Sequence, residues 1–149
     1  MLRIPAIDVE SALIPLGLAA NGTLEVPPSG SPAGWFTGAP TPGERGPAII
    51  VGHVDWKGRN GVFHDLYALK PGARVLVSRK DGAVAEFEVT AVRHFAKDRF
   101  PTRLVYGNID RSGLRLVTCG GSFDQQKHSY EDNIVAFAEL VPRAAHRAQ

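Results

Sequence analysis

The sequence has 149 residues, of which 44% are hydrophobic and 21% are charged, so it predicts one folded domain rather than a disordered chain. The formal net charge is only +2 and no run of Lys or Arg concentrates it, which argues against a nucleic-acid-binding surface. The single cysteine, Cys119, excludes an internal disulfide and a cysteine-based zinc site. The histidines show no metal-ligand spacing, so we expect neither a metal nor a cofactor.

The N-terminal region shows neither a transmembrane helix nor a signal peptide. Its apolar run from Leu13 to Ala20 is too short to cross a membrane and is interrupted by Pro15 and Gly17. The abrupt start at Met1 suggests that a natural N-terminal segment has been removed. Residues 143–149 are polar and small and are expected to fray. We therefore predict a single domain over residues 1–149, with residues 143–149 as a tail.

Short β-prone runs separated by turns make up most of the chain, and its 16 Gly and 11 Pro supply the turns. The Asp81-Gly82 pair predicts a hairpin turn, and one face of the strand after it is more polar. A single stretch, Gly61 to Leu69, has room for one or two helical turns. The predicted strands are Ala48–Val51, Arg74–Ser78, Ala83–Val92, Leu114–Thr118 and Ile134–Leu140, with a brief one near Leu24–Val26. About seven or eight short strands in one domain predict a β-barrel or sandwich.

Cys119 is the first candidate for chemistry. It ends the apolar run Leu114–Thr118 and is followed by Gly120 and Gly121, so a strand supports the thiol while the glycines leave room for a ligand. The alternative is a buried, inert cysteine, which is the commoner fate of a lone cysteine.

His53 is the second candidate, because it follows Gly52 at the end of another predicted strand. An imidazole there can act as a general acid and can lower the pKa of a nearby thiol. Asp55 is a candidate to orient the ring, and a histidine satisfied within a loop is the alternative. A single cysteine and a strand-end histidine far apart in sequence suit a Cys–His nucleophilic enzyme.

Several spaced motifs resemble the sortase family, and most closely its actinobacterial class F. The resemblance covers about Ile4 to Leu140. The matching segments are Gly34-Trp35-Phe36, Gly52-His53-Val54-Asp55, Phe100-Pro101-Thr102 with Val105-Tyr106-Gly107, Leu114 through Gly121 with Phe123-Asp124, and Tyr130-Glu131-Asp132-Asn133.

The resemblance implies an all-β fold, a closed eight-stranded barrel with short helices in its connections. It also implies a cysteine transpeptidase on the extracellular face of a bacterial membrane, held by an N-terminal anchor absent from this chain. Cys119 would attack a sorting signal of the LPxTG type after its Thr. His53 would serve as acid and base, and an amine of a peptidoglycan precursor or of another protein would resolve the thioester. The expected partners are surface proteins bearing such signals, and a monomer is expected.

The sequence departs from the family at its third catalytic residue, an arginine near the start of the last strand. No arginine occurs between Cys119 and Arg143. Arg115 shares a strand face with Cys119 but lies ~13 Å from it at ~3.3 Å per residue, so it is a provisional third residue that contacts substrate more readily than an oxyanion. An ordinary charged residue at a strand rim is the alternative for Arg115, and Arg99 and Arg103 remain candidates for the third residue.

The remaining site assignments concern substrate binding. The expected substrate-binding residues are Val117, Thr118, Gly120, His128 and Asn133, with backbone N–H groups near the nucleophile available to an oxyanion. Trp35 and Trp56 are expected to pack against the barrel rather than to line a peptide groove. Two other functions stay open: a non-catalytic barrel that binds extended peptides, and a hydrolytic cysteine peptidase on the same scaffold.

Overall fold

The computed structural model describes residues 1–18, 20, 25–79, 82–96, 102–107, 109–124 and 129–141, and for residues 96, 102, 119–124 and 129–132 it describes the backbone alone. In these ranges the strands are β1 (Leu2–Ile4), β2 (Val9–Ser11), β3 (Leu13–Leu16), β4 (Ala33–Phe36), β5 (Gly46–Val51), β6 (Asp55–Trp56), β7 (Arg59–Asn60), β8 (Arg74–Ser78), β9 (Val84–Ala96), β10 (Ser112–Asp124) and β11 (Ser129–Leu140). The one α-helix among them is α1 (Thr102–Tyr106), and 3-10 turns cover Pro5–Ile7 and Leu66–Ala68.

The main sheet curls into a nearly closed barrel with the strand order β2-β1-β8-β9-β11-β10-β5-β4-β3. The backbone N–H of Ala33 donates to Oγ of Ser11 at 3.0 Å, which ties the end of edge strand β2 to β4. The expected all-β fold is confirmed, but the expected count of eight strands is wrong: the sheet in the described residues has nine. The N-terminal segment is divided because Pro5 begins a 3-10 turn and Asp8 adopts a left-handed conformation (φ 55°).

The pairing of β5 with β10 is parallel, whereas most other pairs in the sheet are antiparallel. Residues Gly46 to Val51 align one to one with Ser112 to Val117, and all six residues of β5 are buried. Strands buried on both faces have nearly continuous apolar sequences, which is why these two runs were recognisable without alternation. The predicted strands Ala48–Val51, Leu114–Thr118 and Ile134–Leu140 are confirmed within β5, β10 and β11.

Two apolar clusters cover the two faces of these central strands. The first fills the barrel and includes Ala48, Ile50, Leu114, Leu116, Ile134 and Ala136. The second lies on the outer face and includes Leu16, Ile49, Val51, Val105, Val117, Val135 and Phe137, with Ile14, Phe36, Phe95 and Tyr106 packed against it. Alternate residues of one strand enter different clusters because successive side chains point to opposite faces. We call the second cluster the outer cluster.

The predicted hairpin is also confirmed, since β8 pairs with β9 from Ser78↔Val84 to Arg74↔Glu88. Asp81 of its turn lies outside the described residues. Along β9, Ala85 and Phe87 are buried, whereas Glu86 and Glu88 are more exposed and both approach Arg74. The polar face of this strand is therefore solvated, as its alternating sequence indicates.

Helical structure is short throughout the described residues. The predicted helical turns near Gly61 to Leu69 correspond to the 3-10 turn Leu66–Ala68, and α1 has five residues and was not predicted. Val105 of α1 is fully buried and Tyr106 packs beside it, so this helix covers part of the outer cluster. No helix in the described part of the chain is long and apolar enough to span a bilayer.

We expect the barrel interior to dominate the free energy of unfolding. Leu116 is 0% exposed in the inner cluster, whereas Leu104 of α1 is 52% exposed. The Leu116→Ala variant should lose about 2–5 kcal/mol in urea denaturation, because it removes buried methyl groups and leaves a cavity. The same substitution at Leu104 is the matched control and should cost less than about 1 kcal/mol. Equal losses would contradict the packing described here.

Candidate active site

The candidate active site lies at the edge where β5 and β10 end together. Val51 pairs with Val117, and the backbone N–H of Gly52 then donates to the Val117 carbonyl at 3.1 Å. His53 and Cys119 each follow two residues after that last pair. Because neighbouring strands lie about 4.8 Å apart, the parallel register brings these two distant segments of sequence to adjacent positions.

Cys119 belongs to β10, and its backbone pairs with that of Asn133 on β11. The side chain of Cys119 lies outside the described residues, as does the whole of His128. The register shifts between Gly120 and Phe123, so the regular pairing of β10 ends just beyond the cysteine. Irregular pairing of this kind is common beside active sites, where it redirects the chain.

The His53 side chain is half-buried and held on two sides. Its Nε2 lies 2.7 Å from the carbonyl oxygen of Pro27, and its ring centroid lies 5.0 Å from that of Trp56 at an interplanar angle of 47°. Its backbone carbonyl accepts a hydrogen bond from the N–H of Phe63 at 3.0 Å. Pro27 and Trp56 therefore set the orientation of the imidazole, and Phe63 holds the backbone that carries it.

Asp55, considered from sequence as the group that orients His53, has a different neighbour. Its Oδ1 lies 3.5 Å from Nδ1 of His64, and both side chains are more than a third exposed. Residues 53 and 55 do not share a regular strand, because β5 ends at Val51 and β6 begins only at Asp55. The carboxylate is thus engaged with the second histidine.

Asn133 contributes an unpaired polar atom directly opposite Cys119 in the ladder. Its Oδ1 is buried and has no hydrogen-bond partner among the described residues. An unsatisfied buried acceptor costs roughly 1–3 kcal/mol, so such atoms are uncommon in folded proteins. Asn133 was expected from the sequence to bind substrate, and the atom left without a partner here is an acceptor.

Arg115 is 5% exposed and lies within the outer cluster. Its guanidinium carbon is 4.9 Å from the ring centroid of Phe137, and Nη1 donates to the Leu114 carbonyl at 3.3 Å, while Nε has no hydrogen-bond partner in the part of the chain that the structure describes. These contacts direct the guanidinium toward the beginning of β10, away from the end that carries Cys119. Burial lowers the pKa of Arg115, Arg111 lowers it further, and Glu139 acts in the opposite direction.

The other expected substrate-binding residues divide between the two faces of β10. Val117 lies in the outer cluster, on the same face as Arg115, whereas Thr118 is 2% exposed and pairs with Ile134 of the inner cluster. A side-chain contact between Thr118 and a substrate is therefore disfavoured, which leaves its backbone. Gly120 continues the strand, with its backbone opposite Asp132.

This arrangement has the components of thiol chemistry. A strand-end histidine sits beside the strand that carries the cysteine, which is the pair of groups that nucleophilic cysteine catalysis uses. The described residues contain no cluster of three or more His, Cys, Asp or Glu able to hold a metal ion.

Sequence reasoning missed two contributors to the site, Pro27 and Trp56. The contact of Pro27 is made by a backbone carbonyl, which any residue carries, so no sequence signal was available. Trp56 was expected to pack on the barrel, but its ring is half-buried against His53. Its spacing of three residues from the histidine, beside the Lys57-Gly58 turn, was the one signal that pointed to such a contact.

Comparison with protein families matches residues 2–141 to the sortase domain. A search of curated proteins gives no significant match.

Solved structures with the same fold are sortases of several kinds. A lid mutant of sortase A from Corynebacterium diphtheriae is 19% identical with a TM-score of 0.74, over 95% of this chain and 68% of that one. Sortase C1 from Streptococcus agalactiae is 21% identical with a TM-score of 0.73, over 95% and 66%. A sortase D5 transpeptidase from Clostridium perfringens is 19% identical with a TM-score of 0.68, over 95% and 77%. This chain thus spans about two thirds to three quarters of their lengths.

Replacing Arg115 by Met should leave the free energy of unfolding unchanged or raise it. The guanidinium is buried with an unpaired Nε, and an apolar side chain of similar length keeps the contact with Phe137 without that desolvation cost. Arg115→Ala should lose about 2–4 kcal/mol, because it also empties the space in the outer cluster. Urea denaturation of both variants is the measurement.

The matched control for this pair is Arg111→Met. Arg111 is 53% exposed by side chain and meets Glu139 at 3.0 Å on the surface, so its loss should change stability by less than about 1 kcal/mol. A loss for Arg115→Met as large as that for Arg115→Ala would show that the buried charge itself stabilises the fold.

Proposed function

Because the chain belongs to the sortase family, whose members are cysteine transpeptidases, we propose that it cleaves an LPxTG-like sorting signal after its Thr and transfers the protein to an amine. Cys119 is the nucleophile and His53 the acid and base. The observation that carries this proposal is the parallel register of β5 and β10, which ends with both residues two positions beyond the Val51↔Val117 pair.

In the first half of the reaction, the Cys119 thiolate attacks the carbonyl carbon of the signal's Thr. The carbon–nitrogen bond then breaks, His53 gives its proton to the departing amine, and a thioester remains. In the second half, an incoming amine loses a proton to His53 as its nitrogen bonds to the same carbon, and the thiolate leaves. An amide nitrogen needs this protonation because it is a poor leaving group without it.

The proposed peptide site is the end of β10 and β11, where Asn133 lies opposite Cys119. Among the described residues, Oδ1 of Asn133 has no hydrogen-bond partner, and neither has Nε of Arg115, which lies nearer the start of β10. We assign Asn133 to accept a backbone N–H of the bound signal and Arg115 to the end of the site farther from Cys119. Oxyanion stabilisation then falls to backbone N–H groups at Thr118 and Gly120 and to His128, which stands in the segment where the family carries its arginine.

The finer assignments belong to the same proposal. The sequence motifs favour class F, and the location that suits this reaction is the extracellular face of a bacterial membrane. The proposed partners are surface proteins bearing sorting signals and an amine of a peptidoglycan precursor or of another protein, with the enzyme acting as a monomer and without a cofactor.

The decisive measurement follows cleavage of a fluorogenic LPxTG-type peptide with and without a glycine-based amine, with mass spectrometry of the products and of the enzyme. Cys119→Ala should abolish turnover and the covalent acyl-enzyme. His53→Ala should lower kcat by at least about 100-fold, because it removes the proton donor for the leaving amine. His64→Ala is the matched control, since His64 is a half-exposed histidine whose described ionic contacts are with Asp55 and Asp65, and it should retain parental activity.

Turnover by Cys119→Ala at the parental rate would exclude the proposal. Hydrolysed product alone, even with saturating amine, would identify a peptidase on this scaffold instead. Peptide affinity without any trapped thioester would identify a binding module.

Asn133→Ala tests the substrate contact and should move activity and stability in opposite directions. It should lower kcat/KM about tenfold, because a buried hydrogen bond to the peptide is lost. The free energy of unfolding should stay equal or rise, because an unsatisfied acceptor has been removed. Asn60→Ala, on exposed β7, is the control and should change neither quantity. A stability loss without a kinetic effect would contradict the assignment.

A further inference from the structure

Residues 25–32, which we call the strap, cross over the ring of His53 between two fixed ends. At one end the N–H of Glu25 donates to the Gly17 carbonyl at 2.9 Å, and the N–H of Gly17 donates to Oε1 of Glu25 at 2.7 Å. At the other end the N–H of Val62 donates to the Gly30 carbonyl at 2.8 Å. The strap is therefore tied both to the end of β3 and to the turn after β7, although it contains no strand or helix of its own.

Between these ends, the carbonyl of buried Pro27 meets Nε2 of His53 at 2.7 Å. A carbonyl oxygen only accepts hydrogen bonds, so Nε2 must be the donor. In a neutral imidazole one ring nitrogen carries the proton and the other holds the lone pair. The contact therefore selects the tautomer with hydrogen on Nε2 and leaves Nδ1 as the basic nitrogen.

The surroundings of His53 oppose rotation of the ring away from this contact. Trp56 lies against the imidazole. The strap in turn packs closely on Trp56, because a Cβ added to Gly30 would lie 2.7 Å from Cβ of Trp56. The backbone of His53 is equally confined, because a Cβ on Gly61 would lie 2.1 Å from its carbonyl oxygen.

We infer that the strap makes His53 a proton carrier with a single working nitrogen. Nε2–H stays on the Pro27 carbonyl throughout the cycle, and Nδ1 alone gives the proton to the leaving amine and takes one from the incoming amine. Pro27 is thus a positioning residue. It fills through its backbone the orienting role for which Asp55 was considered. This inference rests on the proposed function, since it concerns the proton transfers of that reaction.

The direct test is a long-range nitrogen–proton NMR spectrum of the protein labelled with 15N-histidine, recorded where the imidazole is neutral. The His53 signals are assigned by their absence in His53→Gln. We expect the pattern of a fixed Nε2–H tautomer. A fixed Nδ1–H tautomer, or an average of both, would overturn the inference. This spectrum needs no substrate, so it tests the inference separately from the proposed function. The tautomer pattern can contradict the inference while the peptide is still cleaved, and a lack of Cys119-dependent cleavage does not change the tautomer pattern.

The role of the strap is tested by loosening it at a distance from His53. Glu25→Ala removes the side-chain bond to Gly17, and it should mix the two tautomers and lower kcat about tenfold with little change in KM. Glu25→Gln keeps an acceptor oxygen and should restore both quantities. Glu10→Ala is the matched control, because it removes another exposed carboxylate, 4.0 Å from Arg3 on the far edge of the sheet. An unchanged tautomer pattern in Glu25→Ala, whatever its activity, would overturn the inference.

Discussion

The parallel pairing of β5 with β10 is the constraint on which the rest of the site depends. Parallel strands end at the same edge of a sheet and require a long crossover between them, which here contains β6 to β9 and α1. His53 and Cys119 are 66 positions apart in sequence, yet they stand at neighbouring strand ends. The pairing of the strands brings them there, and no direct bond between the two residues is needed. The register of the two strands fixes which residues meet at this edge, and the burial of both strand faces keeps the register from slipping.

The outer cluster gives the central strands a second buried face. In a simple barrel the outer face of a strand is solvated, yet Ile49, Val51, Val117 and Val135 are buried there beneath α1 and its neighbours. A charged residue in such a place is costly, and Arg115 is accommodated by lying over Phe137 and by bonding to a neighbouring carbonyl. The outer cluster thus stabilises the central strands from the side that the barrel core does not reach.

The sequence predicted what depends on apolar patterning and missed what depends on backbone geometry. β5, β10, β11 and the β8–β9 hairpin were predicted because continuous or alternating apolar residues report burial directly. The division of residues 2–16 into three strands was missed because it follows from a 3-10 turn at Pro5 and a left-handed residue at Asp8. α1 is too short to show helical periodicity. At the site, side-chain chemistry identified the candidate residues His53 and Cys119. The contact of the Pro27 carbonyl could not be predicted, because every residue type carries a backbone carbonyl.

The outer face of β10 and β11 also carries polar atoms that packing does not satisfy. Among the described residues, Nε of Arg115 and Oδ1 of Asn133 are buried and have no hydrogen-bond partner. A buried polar group left unsatisfied costs roughly 1–3 kcal/mol, which is a substantial fraction of the stability of a small domain. One atom is a donor and the other an acceptor, and the two residues stand on neighbouring strands that pair with each other. The apolar residues around them therefore stabilise the sheet against a polar cost that lies in the same face.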